Sequence, residues 1–172
     1  YYSGGAHKFG AAGDFVTAPE MTPAFAQTLA TQAVQVMNES RPHILEVGAG
    51  SGRLAADLLA ELAQRKALPE SYAILELSGE LRERQRQTLA ATVPDLLPRV
   101  TWLDRLPERF DGLVLANELL DAMPVHLVRW LPDNILERGV ACNVRGFVWE
   151  DRPAAGTLRS RAEFLSGEGV PC

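Results

Sequence analysis

Three glycines at alternate positions, Gly48, Gly50 and Gly52, separate two stretches of different periodicity. Ahead of them, Ile44-Leu-Glu-Val47 is an apolar run of strand length carrying one acid, Glu46, two residues before the first glycine. From Arg53 onward Leu54, Leu58 and Leu62 recur every four residues, the spacing of a helix face. Strand, glycine turn and helix open a βαβ unit, in which residues without a Cβ let backbone approach a ligand closely. A dinucleotide fingerprint, Gly-x-Gly-x-x-Gly, needs its last glycine at position 53, where Arg53 stands. A plain tight βα connection explains glycine spacing alone. Against it, Tyr72-Ala-Ile-Leu-Glu76 reads as a second strand ending in an acid. Nucleotide-binding βαβ units place such an acid about 20 residues beyond the glycines, to accept from ribose hydroxyls. Glu76 lies slightly farther on, a difference the long helix and the 66–71 loop absorb. These residues suit a ligand that contains adenosine.

The rest of the chain continues the alternation. Thr22 before Pro23 marks a helix start, with Phe25, Leu29, Ala33 and Val36 near one face of a helix to about Met37. Gly79 to about Ala91 is helical but poorly amphipathic, and its Glu80, Arg82, Glu83, Arg84 and Arg86 read as a solvated charged face. Pro94 and Pro98 end it; Val100–Leu103 and Asp111–Ala116 read as third and fourth strands, the last buried on both faces. Four strands alternating with helices predict an α/β fold with a mostly parallel sheet. After Pro124, Val125–Trp130 and Val144–Glu150 are strand-like pieces with turn residues between them, a β-hairpin excursion. From Asp151 onward little core-forming periodicity remains, and Tyr1–Gly13 is a glycine-rich arm. The expected division is an arm and lid over 1–22, a ligand-binding core over 23–124, and a β-rich insertion and tail over 125–172.

At 172 residues the chain suffices for one domain with a sizeable core. A net charge of −5 argues against a general electrostatic grip on nucleic acid. Cys142 and Cys172 form neither metal-ligand spacing nor a disulfide framework, and His7, His43 and His126 are scattered, so no metal site is expected. No apolar run has the length of a membrane span, and no secretory signal opens the chain. The first residue is Tyr1 rather than methionine, which reads as a fragment or a processed form.

Glu46-x-Gly48-x-Gly50-x-Gly52 resembles motif I of class I S-adenosylmethionine-dependent methyltransferases. Gly13-Asp-Phe-Val-Thr-Ala-Pro-Glu20 and Leu115-Ala-Asn-Glu-Leu-Leu-Asp-Ala-Met-Pro-Val125 resemble signature blocks of the MidA-type methyltransferases. That family includes the mitochondrial complex I assembly methyltransferase. Tyr1-Tyr2, Glu76-Leu-Ser78 and Gly146-Phe-Val-Trp-Glu-Asp-Arg-Pro153 are similar to it as well; Leu131–Arg145 and the residues after Pro153 are much less so. The resemblance implies a Rossmann-like class I methyltransferase fold. A complete sheet of that class has seven strands, so the fold is expected to be incomplete in this chain. S-adenosyl-L-methionine is the implied cofactor and a protein side chain, arginine in the mitochondrial branch, the implied acceptor. Cytoplasm is implied for a bacterial source and the mitochondrial matrix for a eukaryotic one.

The same resemblance distributes roles over the motif residues. Gly48, Gly50 and Gly52 let main chain lie against the cofactor's tail and ribose, and Glu46 helps place the tail's ammonium or instead caps backbone N–H groups of the turn. Glu76 accepts from the ribose hydroxyls; Asp104 reaches the adenine amino group or is a simple turn aspartate. Thr17, Pro19 and Glu20 fold over the cofactor as a lid or cap the turn before the helix. Asn117 ends the fourth strand, where class I enzymes face the departing methyl group, but Glu118 replaces the proline of the amino-methylating Asn/Asp-Pro-Pro-Tyr motif. Guanidinium pairs with carboxylates in a forked geometry, so Glu118 and Asp121, three apart on a helical turn, suit an arginine acceptor. The alternative is a helix start, with Asn117 as cap and Glu118 in the first turn. Two other functions stand beside methyl transfer. One is a nucleotide-dependent oxidoreductase, which the glycine spacing opposes; the other is a non-catalytic assembly protein on the same fold.

Overall fold

The computed structural model describes residues 17–167, so the arm expected over Tyr1–Gly13 and the last residues of the tail lie outside the described residues. The chain divides into two compact units, one ending at Ala122 and one beginning at Met123.

In the first unit a short helix α1 (Ala18–Met21) and α2 (Ala24–Glu39) precede β1 (His43–Val47), α3 (Arg53–Gln64), β2 (Ser71–Leu75), α4 (Gly79–Thr92), β3 (Val100–Leu103) and β4 (Leu113–Leu115). The four strands form one sheet in the order β3-β2-β1-β4. Every pairing is parallel, with Glu46 opposite Ile74 on one side and Leu115 on the other. The chain therefore builds outward from β1 to β3 and then crosses to the other side of β1 to lay down β4. In such open sheets the place where the strand order reverses leaves a crevice beyond the strands' carboxyl ends.

The core follows the apolar pattern. Leu54, Leu58 and Leu62 of α3 are buried together with Ala55, Ala56 and Leu59, packed with Ile44, Tyr72, Ile74 and the alanines of α2. The start of α2 falls near the expected Thr22: the hydroxyl of Thr22 accepts the N–H of Ala24 at 3.2 Å, and Pro23 precedes the first helical residue.

The second unit departs from the expected hairpin. Three antiparallel strands, β5 (Leu127–Leu131), β6 (Asn134–Asn143) and β7 (Gly146–Pro153), form a sheet in that order. β6 lies where turn residues were expected, because Gly139 and the adjacent Glu137 and Arg138 mask its alternation. A further helix, α5 (Gly156–Gly167), forms in the tail despite its little core-forming periodicity. It covers one face of the sheet with Ala162 and Leu158 against Ile135, Ala154, Val128 and Trp130, and the Trp130 indole N–H donates to the Ala162 carbonyl at 3.1 Å. The other face leaves Phe147 and Trp149 86% and 62% exposed.

Candidate functional site

At the carboxyl ends of β1, β2 and β4 lies a cavity of about 380 Å³, within the ordinary size range of small-molecule sites. Its floor is the turn after β1. Gly48, Gly50 and Gly52 have φ of 73°, 54° and 82°, a region that side-chain-bearing residues rarely adopt. Gly48 and Gly50 line the cavity with the peptide edges this permits. Gly52 does not. A Cβ there would stand 3.0 Å from the Gln85 Cα, so this glycine serves close packing of α4 against the start of α3.

Glu46 lines the cavity from the end of β1 and is only 3% exposed. Of its two expected roles, backbone capping is not what the geometry shows: its carboxylate accepts the Tyr72 hydroxyl, from the neighbouring strand, at 2.7 Å. Burial pushes the Glu46 carboxyl up to about 7, against the smaller downward effect of that hydrogen bond. The Tyr72 phenol is raised well above its usual value, first by burial and then by the neighbouring carboxylate. A cation arriving beside Glu46 would be met by a carboxylate that gains from its charge.

Glu76, just past β2, also faces the cavity. One carboxylate oxygen accepts the Ser78 N–H at 2.9 Å and the other the Gln85 side-chain amide at 3.2 Å. A carboxylate offers about four acceptor positions, which leaves room for a ligand's hydroxyls. On the opposite wall Asn117, Glu118 and Asp121 follow β4 and line the same cavity. The helix-start alternative for this segment is not realised. Glu118 sits outside helical conformation at φ 51°, and only a three-residue 3-10 turn, Leu120–Ala122, follows. A non-glycine residue in that region costs on the order of 1–3 kcal/mol, a strain that clusters at functional sites.

Thr17, Pro19 and Glu20 line the cavity from α1 and the residue before it. Glu20 accepts the Ser51 hydroxyl, which ties this segment to the glycine turn, whereas the Thr17 side chain makes no capping bond. Asp104 stands apart from the other expected residues. It lies outside the cavity lining and is exposed, its carboxylate 2.7 Å from the Arg82 guanidinium.

Arg82 corrects a second expectation, because the charged face of α4 is not wholly solvated. Arg82 turns inward to donate to the carbonyls of Glu76 and Leu103 at 2.6 and 2.7 Å. Gln85 is fully buried, and the Thr88 hydroxyl donates to the Ser51 carbonyl at 2.8 Å. These polar residues recur every three positions and bind the glycine turn and the end of β2. The pattern was available in the sequence as a polar stripe on a helix that lacks an apolar one.

Comparison with known proteins gives the family. A family model described as "Putative S-adenosyl-L-methionine-dependent methyltransferase" matches residues 26–168. The crystal structure of a COG1565 superfamily member from Burkholderia thailandensis, bound to S-adenosyl-homocysteine, superposes with a TM-score of 0.78 at 51% identity. That match covers 96% of this chain and 44% of the other. Among curated proteins, the mitochondrial protein arginine methyltransferase NDUFAF7 homolog of Drosophila melanogaster is 33% identical over 142 residues, covering 69% of this chain and 32% of that protein. Its mouse counterpart is 30% identical over 151 residues, with 72% and 34% covered. The chain thus spans about a third of the length of the curated relatives it matches. With the motif-I turn, the parallel sheet and the superposition in agreement, the chain belongs to the MidA-type family of class I S-adenosyl-L-methionine-dependent methyltransferases.

Proposed function

We propose that this chain forms the S-adenosyl-L-methionine site of an enzyme that methylates a protein side chain, with arginine as the acceptor its acids suit. The observation that carries the reading is the cavity at the reversal of strand order, lined by Glu46 and Gly48 at the end of β1, Glu76 after β2 and Glu118 after β4. When bound, S-adenosyl-L-methionine supplies a methyl group on a sulfonium cation. Gly48 and Gly50 present peptide groups to its tail, and the buried Glu46 stands where an ammonium would meet it. Glu76 would hold the ribose hydroxyls, and the segment from Thr17 to Glu20, tied to the glycine turn through Ser51, would cover the ligand. Gly52 shapes the turn without touching the ligand, and Asp104 acts through Arg82.

Asn117, which lines the cavity, would face the methyl group, while Glu118 and Asp121 would orient a guanidinium by forked hydrogen bonds. The guanidinium pKa is too high for deprotonation beforehand. One of these carboxylates would therefore accept the proton released as a guanidinium nitrogen takes the methyl group and the S–CH3 bond of the sulfonium breaks to leave a neutral thioether. Holding the two reactants in line supplies most of the acceleration. Relatives named as protein arginine methyltransferases favour this acceptor, as does the exposure of Glu118 and Asp121 at the cavity mouth.

Calorimetric titration with S-adenosylmethionine, S-adenosylhomocysteine and NAD in parallel tests the cofactor. Binding of both adenosyl ligands without NAD is expected, and NAD binding alone would refute the assignment. Glu118→Gln should slow methylation of an arginine-containing protein by about 100-fold or more while leaving S-adenosylhomocysteine affinity unchanged. Undiminished turnover would remove the acid clamp, and cofactor binding without turnover in the unsubstituted enzyme would favour a binding protein.

A further inference from the structure

Gln85 is a neutral side chain with no exposure at all, on a helix whose neighbours are mostly charged. Each polar atom of its amide has a partner of the complementary kind. The Trp102 indole N–H, from β3, donates to the amide oxygen at 2.8 Å. The amide nitrogen donates to the Gly50 carbonyl at 3.0 Å and to the Glu76 carboxylate at 3.2 Å. An indole only donates, and a carbonyl and a carboxylate only accept. Trp102 therefore fixes which way the amide points, and the amide nitrogen is left facing the two cavity groups. The Arg86 guanidinium lies 4.4 Å from the Trp102 ring centroid and covers it from the outer side. Gly52, by lacking a Cβ, leaves the space in which the Gln85 backbone and side chain sit.

We propose that Gln85 is a positioning residue for ribose recognition: held by Trp102, it fixes the Glu76 carboxylate and the glycine turn relative to each other so that the carboxylate meets the ribose hydroxyls. Glutamine suits this task because a glutamate would set a second carboxylate against Glu76 and a carbonyl. An apolar residue of similar size would fill the space and leave Glu76 held by Ser78 alone. The inference rests on the assignment of Glu76 to the ribose.

The test compares affinity for S-adenosylhomocysteine with that for its 2′-deoxy analogue. The unsubstituted protein should prefer the ribose form by about tenfold or more, the size expected for a hydrogen bond to a charged group. Gln85→Met should bring the ratio close to one while affinity for the deoxy ligand changes little. A protein that merely loses packing would weaken for both ligands and keep the ratio. A ratio retained in Gln85→Met overturns the proposal. Should that variant fail to fold, Trp102→Phe removes the indole donor and keeps an aromatic ring; it should lower the ratio, and an unchanged ratio overturns the proposal equally. Glu76→Gln separates the two assignments. If it leaves the ratio intact, the ribose assignment itself falls; if it abolishes the ratio while Gln85→Met does not, only the role of Gln85 falls.

Discussion

Glu46 in the α/β unit and Asp151 in the antiparallel unit are carboxylates displaced in opposite directions. Glu46 is buried among apolar strand residues with one neutral partner, Tyr72, and its pKa is pushed up to about 7. Asp151 accepts from two arginines, Arg138 at 2.7 and 2.9 Å and Arg129 at 3.1 Å, and is held down to about 2, mainly by the Arg138 hydrogen bonds. Among the described residues, one unit leaves an acid without a cation at the edge of a cavity; the other pairs two acids of its sheet with arginines, Asp151 with Arg138 and Arg129 and Glu137 with Arg152. The contrast separates a place suited to a positive ligand from a sheet whose Asp151 and Glu137 already have cationic partners. The two units also differ in burial, since the first has a large contiguous core and the second a small one beneath α5.

The burial difference gives the largest expected effect. Leu58→Ala, which empties a fully buried position between α3 and the sheet, should cost about 2–5 kcal/mol in urea unfolding. Phe147→Ala, on the exposed face of the second sheet, should change stability by less than about 0.5 kcal/mol. A comparable loss at Phe147 would break the comparison, since it would mean that this face is covered in solution.

The acid difference predicts a variant that is more stable and less functional. Glu46 has its pKa raised from 4.5 in a free chain to about 7 when folded. Between those values the folded state holds more protons than the unfolded state, so stability falls as pH rises through the window. The full loss, present above pH 7, is on the order of 3 kcal/mol. Glu46→Gln lacks this titration. It should match the parent near pH 4.5, exceed it by up to about 3 kcal/mol at pH 8, and bind S-adenosylmethionine more weakly. A stability difference independent of pH would remove the account of Glu46 as a carboxylate kept without a cation.

What could be read in advance follows the range of the interactions. The glycine turn, the first two strands and Glu76 are local patterns, set by spacing within about ten residues of each landmark, and the structure places them together. The Glu118–Asp121 segment was found through resemblance, but its left-handed backbone at Glu118 carries no local signature such as glycine or asparagine. Gln85 was passed over because its partners, Gly50 and Trp102, lie 35 and 17 positions away, and a buried amide among arginines looks like surface in one dimension. β6 and α5 were missed for a related reason. Their sheet and helix bury only a few small or scattered residues, Ile135, Ala154 and Ala162, and that leaves weak periodicity.

Tyr72 sharpens the account of Glu46 with a smaller effect. Tyr72→Phe removes the hydrogen bond that lowers the Glu46 pKa, so that pKa should rise further. The cost should be about 1 kcal/mol at pH 5, where the lost bond is neutral, and about 2 kcal/mol at pH 8, where the acceptor is charged. Equal costs at both pH values would show that the hydroxyl matters for packing alone.

The smallest effect belongs to the second unit. With its pKa lowered from 3.8 to about 2, Asp151 binds fewer protons folded than unfolded, so its contribution is present above pH 3.8 and is lost as pH falls through about 2. Its partners are partly exposed, and such pairs are weakened by salt. Asp151→Asn should therefore lower amide hydrogen-exchange protection in β6 and β7 modestly at neutral pH, with the difference shrinking in added salt and vanishing near pH 2. Cofactor affinity should be untouched, because Asp151 lies outside the residues that line the cavity. If instead the variant weakened S-adenosylhomocysteine binding, the division into a cavity-bearing unit and a sheet with its own internal ion pairs would fail, and the arginines around Asp151 would have to be counted as part of the site.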